Sequence, residues 1–185
     1  MNRLALCFLF LAAAAPLGAQ ATTWPTAQIT VDATSDLDFA RIDLASPKLV
    51  SATDSAHWDL AVRRYEFRLN SDVSATLLVD NTVPAAADPN AASAASQLPA
   101  VDAVTAADIP SDARFGSALP NSVAVEDSPP FLYGRDPASP HGVAPTYNIY
   151  LIRRGDTVYK VQMLDYYHPV TGASRHITLW VARIR

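Results

Sequence analysis

The chain is 185 residues long, half of them apolar and 17% charged, which suits one folded domain and excludes a wholly disordered protein. Its 18 acidic against 14 basic residues give a formal charge of −4 with no basic run. Nucleic acid and anionic membrane surfaces are thereby excluded as partners, because such a chain offers neither phosphate neutralisation nor counterion release. Its 14 prolines against 6 glycines disfavour long helices, each interior proline costing roughly 3 kcal/mol.

Residues 1–21, MNRLALCFLFLAAAAPLGAQA, read as a secretory signal peptide. Arg3 precedes an apolar run from Leu4 to Ala15, Pro16 and Gly18 break it, and Ala19-Gln20-Ala21 supplies the cleavage signature. The run is shorter than the roughly 18 to 20 residues that span a bilayer, so residues 22–185 are expected as one domain, secreted or periplasmic, with no transmembrane segment. Cys7 is the single cysteine and follows Leu6, where a lipidation signal needs a small residue, so no lipid anchor is expected. The mature chain would hold no thiol, which excludes disulfides, thiol catalysis and cysteine-ligated metal.

From Thr22 to Val83, short β-prone runs alternate with turn residues: AQITVDA, DFARIDL, KLVSA, WDLAVRRYEFRLN and SATLLV. In the fourth, Leu60 and Val62 alternate in one phase and Tyr65, Phe67 and Leu69 in the other, so the slip at Arg63-Arg64 predicts a bulge or bend. Residues 84–130 shift to Ala, Ser, Asp and Pro and predict a long surface loop with one helical turn near residues 91–97. YNIYLIRR, VYKVQMLDYY and HITLWVARI then predict a three-stranded antiparallel meander, with Gly155-Asp156 as its first turn and PVTG in its second. Tyr150, Ile152, Val161, Met163, Leu179 and Val181 mark the buried face. Seven or eight strands in all predict an all-β fold, a single antiparallel sandwich or partly open barrel.

No Gly-x-Ser-x-Gly elbow, phosphate-cradling glycine loop, His-Glu-x-x-His or Ser-x-x-Lys pair is present, so an enzyme is not expected. Asp36 and Asp38 read as solvated turn acids and His57 as a solvent-exposed histidine at a strand start. His141, His168 and His176 stand at strand mouths, where a meander gathers residues. Imidazoles from two such loops could clamp a metal, or the iron of a porphyrin, from opposite faces.

The segment DFARIDLASPKLVSATDSAHWDLAVRRYEFRLN, followed later by YNIYLIRRGDTVYKVQMLDYYHPVTG and ITLWVARI, resembles the HmuY family of bacterial haem-binding proteins. The features that match are Trp58-Asp59 opening an apolar strand through Arg63, Arg64 and Tyr65 to Asn70, a strand starting at Tyr147, and Tyr159-Lys160 leading to Tyr166-Tyr167. Two features depart from the pattern: Ser71-Asp72 stand where glycines are expected, and the lipidation cysteine is missing. The resemblance implies an all-β fold and haem iron held by two loop histidines, here His141 with His168 or His176, while some relatives use methionines.

On that expectation Phe131, Leu132, Tyr133, Met163, Tyr166 and Tyr167 supply walls for haem b, and Arg135 or Arg175 meets the propionates. His141 and His168 are the expected axial pair and His176 the main substitute for His168; His168 with His176 is disfavoured, since one loop presents both from the same side. If His141 is not a ligand, Met163 or a tyrosine comes into question. The expected function is that of a haemophore, capturing haem outside the inner membrane and passing it to an uptake system through an outer-membrane receptor. The alternative is a secreted binding or interaction domain on the same scaffold, without haem, that uses its long loop as the contact surface.

Overall fold

A computed structural model describes residues 24–81, 94–119, 128–134 and 141–185. The expected signal peptide and Arg135 lie outside the described residues.

Strands follow the alternating runs. The first six are β1 (Ala27–Asp32), β2 (Ala40–Asp43), β3 (Lys48–Val50), β4 (Leu60–Arg63), β5 (Glu66–Leu69) and β6 (Val73–Val79). The C-terminal meander is β9 (Ile149–Arg154), β10 (Thr157–Tyr167) and β11 (Ser174–Arg183). Between them lie two strands the sequence did not announce, β7 (Phe131–Tyr133) and β8 (Val143–Pro145), each three residues long. All pairings are antiparallel, in a five-stranded sheet ordered β1-β11-β10-β9-β6, a four-stranded sheet ordered β3-β2-β4-β5 and the β7-β8 pair. The fold is all-β, as expected, and its sheets do not close into a barrel.

Two turns show how local chemistry sets the topology. Arg154 pairs with Thr157 across Gly155-Asp156, and Gly155 takes φ 56° at the first central position, where a two-residue hairpin turn favours glycine. Arg63 pairs with Glu66 in the same way, so the phase slip at Arg63-Arg64 is neither a bulge nor a bend within one strand but a full reversal, with Arg64 at φ 58°. True register shifts occur in β10 instead, between Met163 and Asp165 and between Asp165 and Tyr167, and they re-aim the two tyrosines at the end of that strand.

The five-stranded sheet is buried on both faces. Tyr150, Ile152, Val161, Met163, Leu179 and Val181 all face the four-stranded sheet, where Ile42, Leu60, Val62 and Phe67 meet them. The opposite face carries Ile149, Leu151, Val158, Leu164 and Trp180 beneath Val101 and Val104. Val101 belongs to α1 (Ala94–Ala103), a helix longer than the single turn expected, which a short 3-10 turn, Ala106–Asp108, follows. No helix among the described residues is long and apolar enough to cross a membrane.

One ion pair bridges the two sheets. Asp59, 2% exposed, accepts from Leu44 N at 2.7 Å and meets Arg154 Nη1 at 3.0 Å, while Arg154 Nη2 donates to Trp58 O at 2.6 Å.

Candidate functional site

The β10–β11 loop is built around His168. Its backbone N–H donates to Ala173 O at 2.8 Å, and its carbonyl accepts from Gly172 N at 2.9 Å, with Gly172 at φ 68°. Its Nδ1 accepts from Val170 N at 3.2 Å and Thr171 N at 3.3 Å. Backbone N–H groups only donate, so His168 Nδ1 holds its lone pair in that turn and Nε2 carries the proton of the neutral ring. The His176 ring lies 5.1 Å from that of His168 at 86°. His176 Nδ1 sits 3.0 Å from Ser174 O, and a carbonyl only accepts, so here Nδ1 holds the proton and Nε2 keeps the lone pair. Across the sheet His176 pairs with Asp32. The Thr34 hydroxyl and backbone N–H hold the Asp32 carboxyl below its ordinary value, with a smaller contribution from His176.

His141 reaches the same end from another element. β7 and β8 carry it beside Tyr133, whose hydroxyl lies 2.7 Å from His141 Nδ1, with the rings 6.2 Å apart. Gly134 N donates to Gly142 O at 2.8 Å, and Val143 N donates to Tyr167 Oη at 3.0 Å. His141 therefore stands two residues, and His168 one residue, from the two partners of a single hydrogen bond. Tyr133 is half exposed, which leaves its ring and that of His141 at the surface.

Behind them an aromatic ladder runs into the core: Phe67 to Phe131 at 6.1 Å, Phe131 to Tyr166 at 5.7 Å and Tyr166 to Tyr167 at 5.4 Å. Burial pushes the Tyr166 phenol up, against the opposing charge and hydrogen bond of Arg175 and the charge of Arg64. Of the expected walls, Tyr133 and Tyr167 border the histidines. Phe131, Leu132 and Met163 are each 1% exposed, which makes them packing residues; the Met163 thioether lies inside the inter-sheet core, away from solvent. Arg175 is already engaged, its Nη1 lying 3.2 Å from Asp36 Oδ1.

His57 pairs with Asp54 at 3.1 Å on an exposed loop, at the opposite end of the β4-β5 pair from the Arg64 turn. A cavity of about 330 Å³ between Trp24, Val104, Lys160, Arg183 and Ile184 holds none of the candidate residues. Among the described residues no group of three or more His, Cys, Asp or Glu side chains could hold a metal ion. Sequence reasoning did not find Arg64 at this end, because nothing in its neighbours signals its left-handed backbone.

The model of the HmuY protein family matches residues 36–180. The chain belongs to the HmuY family. Among solved structures, this HmuY-family protein is similar to one from Bacteroides fragilis described as a lipoprotein, with TM-score 0.54 and 18% identity over 84% of this chain and 88% of that one. It is also similar to a protein of Bacteroides vulgatus described as HmuY-like and haem-binding, with TM-score 0.49 and 19% identity over 84% and 90% of the two chains. The apo HmuY analogue of Tannerella forsythia gives TM-score 0.48 and 10% identity over 90% of this chain and 100% of that one. No curated protein matches this sequence.

Proposed function

We propose that the protein binds haem, with His141 from the β7-β8 pair and one histidine of the β10–β11 loop as axial ligands, and that it serves as a haemophore. The observation that carries this reading is the gathering of His141, His168 and His176 with Tyr133 and Tyr167 at one end of a HmuY-family sandwich. Haem iron takes two axial donors, and its porphyrin needs apolar or aromatic neighbours, which the two tyrosines supply. A ligating imidazole usually donates its other N–H to a carbonyl or carboxylate, and His176 does so to Ser174 O. His168 uses its Nδ1 lone pair on two backbone N–H groups, so ligation through its Nε2 would require the proton to move and the turn to reopen. This makes His176 the better prepared partner for His141. Handing haem b to an uptake system through an outer-membrane receptor, from a secreted or periplasmic position, completes the reading.

Haemin titration followed in the visible region tests it. Saturation at one equivalent with a sharp Soret band and paired low-spin bands is expected. His141→Ala should convert that spectrum to a high-spin one, His176→Ala should do so more fully than His168→Ala, and His57→Ala should leave it unchanged. Broad, unsaturable absorbance would instead favour a binding domain that does not take haem, and an unaltered His141→Ala spectrum would remove His141 as a ligand.

A further inference from the structure

Two arginines from different sheets converge at the histidine end, and both hold an unusual backbone. Arg64, in the β4–β5 turn, has φ 58°, and Arg175, near the start of β11, has φ 65°. One residue ties both main chains together: Ala33 N donates to Arg175 O at 2.9 Å, and Ala33 O accepts from Arg64 N at 2.8 Å. Side chains with a Cβ rarely adopt such a conformation, and where they do the cause is sought in what it positions. Here it brings two guanidinium groups onto one carboxylate oxygen, Asp36 Oδ1, at 3.6 Å from Arg64 Nη1 and 3.2 Å from Arg175 Nη1.

The two donors are poorly used by that carboxylate. A guanidinium matches a carboxylate best as a fork, with two parallel bonds to two oxygens, whereas here both arginines share one. Arg64 Nε is buried and has no hydrogen-bond partner among the described residues. Asp36 itself is 67% exposed, and exposed ion pairs contribute little. Its loop has its own fastenings: Ser35 Oγ accepts from Leu37 N and Asp38 N, and Arg63 donates to Leu37 O. The loop can therefore stay in place while its carboxylate leaves. Next to Arg175 in sequence is His176, and both arginines act on Tyr166, which precedes Tyr167.

We propose that Arg64 and Arg175 form a carboxylate clamp beside the histidines, in which Asp36 is a resident, exchangeable carboxylate that a ligand carboxylate displaces. This rests on the haem reading, on which the displacing group is a porphyrin propionate. Asp36 then weakens capture and, by returning to the clamp, assists release.

The test compares haemin with haemin dimethyl ester, which lacks the carboxylates, on the full-length mature protein. Wild type should bind haemin roughly tenfold more tightly than the ester. Asp36→Asn should tighten haemin binding by roughly threefold to tenfold and leave the ester within about twofold. Arg64→Asn and Arg175→Asn, chosen because asparagine tolerates positive φ, should each weaken haemin toward the ester's affinity. Equal binding of haemin and ester by wild type, or weakened haemin binding in Asp36→Asn, would overturn the clamp while leaving the haem reading intact. No saturable Soret change with either porphyrin would overturn both. Should an arginine variant fail to fold, the ester comparison on wild type and the Asp36→Asn measurement still decide.

Discussion

A left-handed backbone at a residue carrying a Cβ costs roughly 1 to 2 kcal/mol, and Arg64 and Arg175 both bear that cost. Arg64→Gly and Arg64→Ala each remove the guanidinium, so their difference isolates the backbone. The glycine variant should be the more stable by about 1 kcal/mol in denaturant unfolding; equal stabilities would show the turn to be unstrained. At Asp32 the depressed carboxyl pKa sets a pH dependence whose sign is definite: the stabilisation is present above the unfolded value of 3.8 and is lost as pH falls through the folded pKa. Thr34→Ala removes the largest cause and should bring the Asp32 titration back toward 3.8, observable by carboxyl NMR. At this scale the placement of His141, His168 and His176 at strand mouths was legible in the sequence. Which imidazole nitrogen is free was not, since that depends on Ser174 O beside one ring and two backbone N–H groups beside the other.

At the scale of elements, α1 illustrates a helix that its own sequence does not sustain. It contains Pro99 and has neither an acidic first turn nor a basic last turn. Its C-terminal end is held from β10, where Lys160 Nζ donates to Val101 O at 2.5 Å, Asp102 O at 3.2 Å and Val104 O at 3.0 Å. The ammonium of Lys160, 4% exposed, thus replaces the missing cation at the negative end of the helix, and burial lowers its pKa. Lys160→Met should cost about 2 to 3 kcal/mol by leaving buried carbonyls unpaired, and α1 amides should lose hydrogen-exchange protection before the sheets do. Undiminished protection of α1 in this variant would show that the helix stands without the clamp. The same long-range dependence hid α1 from the sequence, where only a single helical turn could be argued from alanines. The reversal at Arg64-Tyr65 was hidden for a different reason: the phase slip was visible, but a hairpin turn is usually announced by glycine or asparagine, and none is there. β7 and β8 were too short for their alternation to stand out.

For the whole molecule, the meander was legible because three long β-prone runs are separated by Gly155-Asp156 and PVTG, and its inward face because Tyr150 and Ile152, Val161 and Met163, and Leu179 and Val181 are each spaced by two. The second buried face was not. Lys160 and Gln162 interrupt it in sequence, and only their bonds to the carbonyls of α1 and Tyr147 make them tolerable inside. The bond between the two sheets at Asp59 should be correspondingly consequential. Asp59→Ala removes one of the two carboxylates on Arg154, which keeps Asp72 and Trp58 O, and leaves the buried Leu44 N without its acceptor, so about 1 to 3 kcal/mol of stability should disappear in denaturant unfolding. A loss under about 1 kcal/mol would mean that water replaces the carboxylate at no cost.

The sheet order also sets a timetable. β1 lies beside β11, and the bridging hydroxyls of Thr30 and Thr178 are 148 positions apart along the chain. Closing so long a loop precedes the contacts that reward it, which places folding in the millisecond-to-second range typical of β-sandwiches. β1 cannot join its sheet before β11 is present, whereas β2 to β5 pair among themselves and need nothing from the C-terminal meander. The two layers therefore differ in when they can close: one from neighbours in sequence, the other only after both ends of the fold have met.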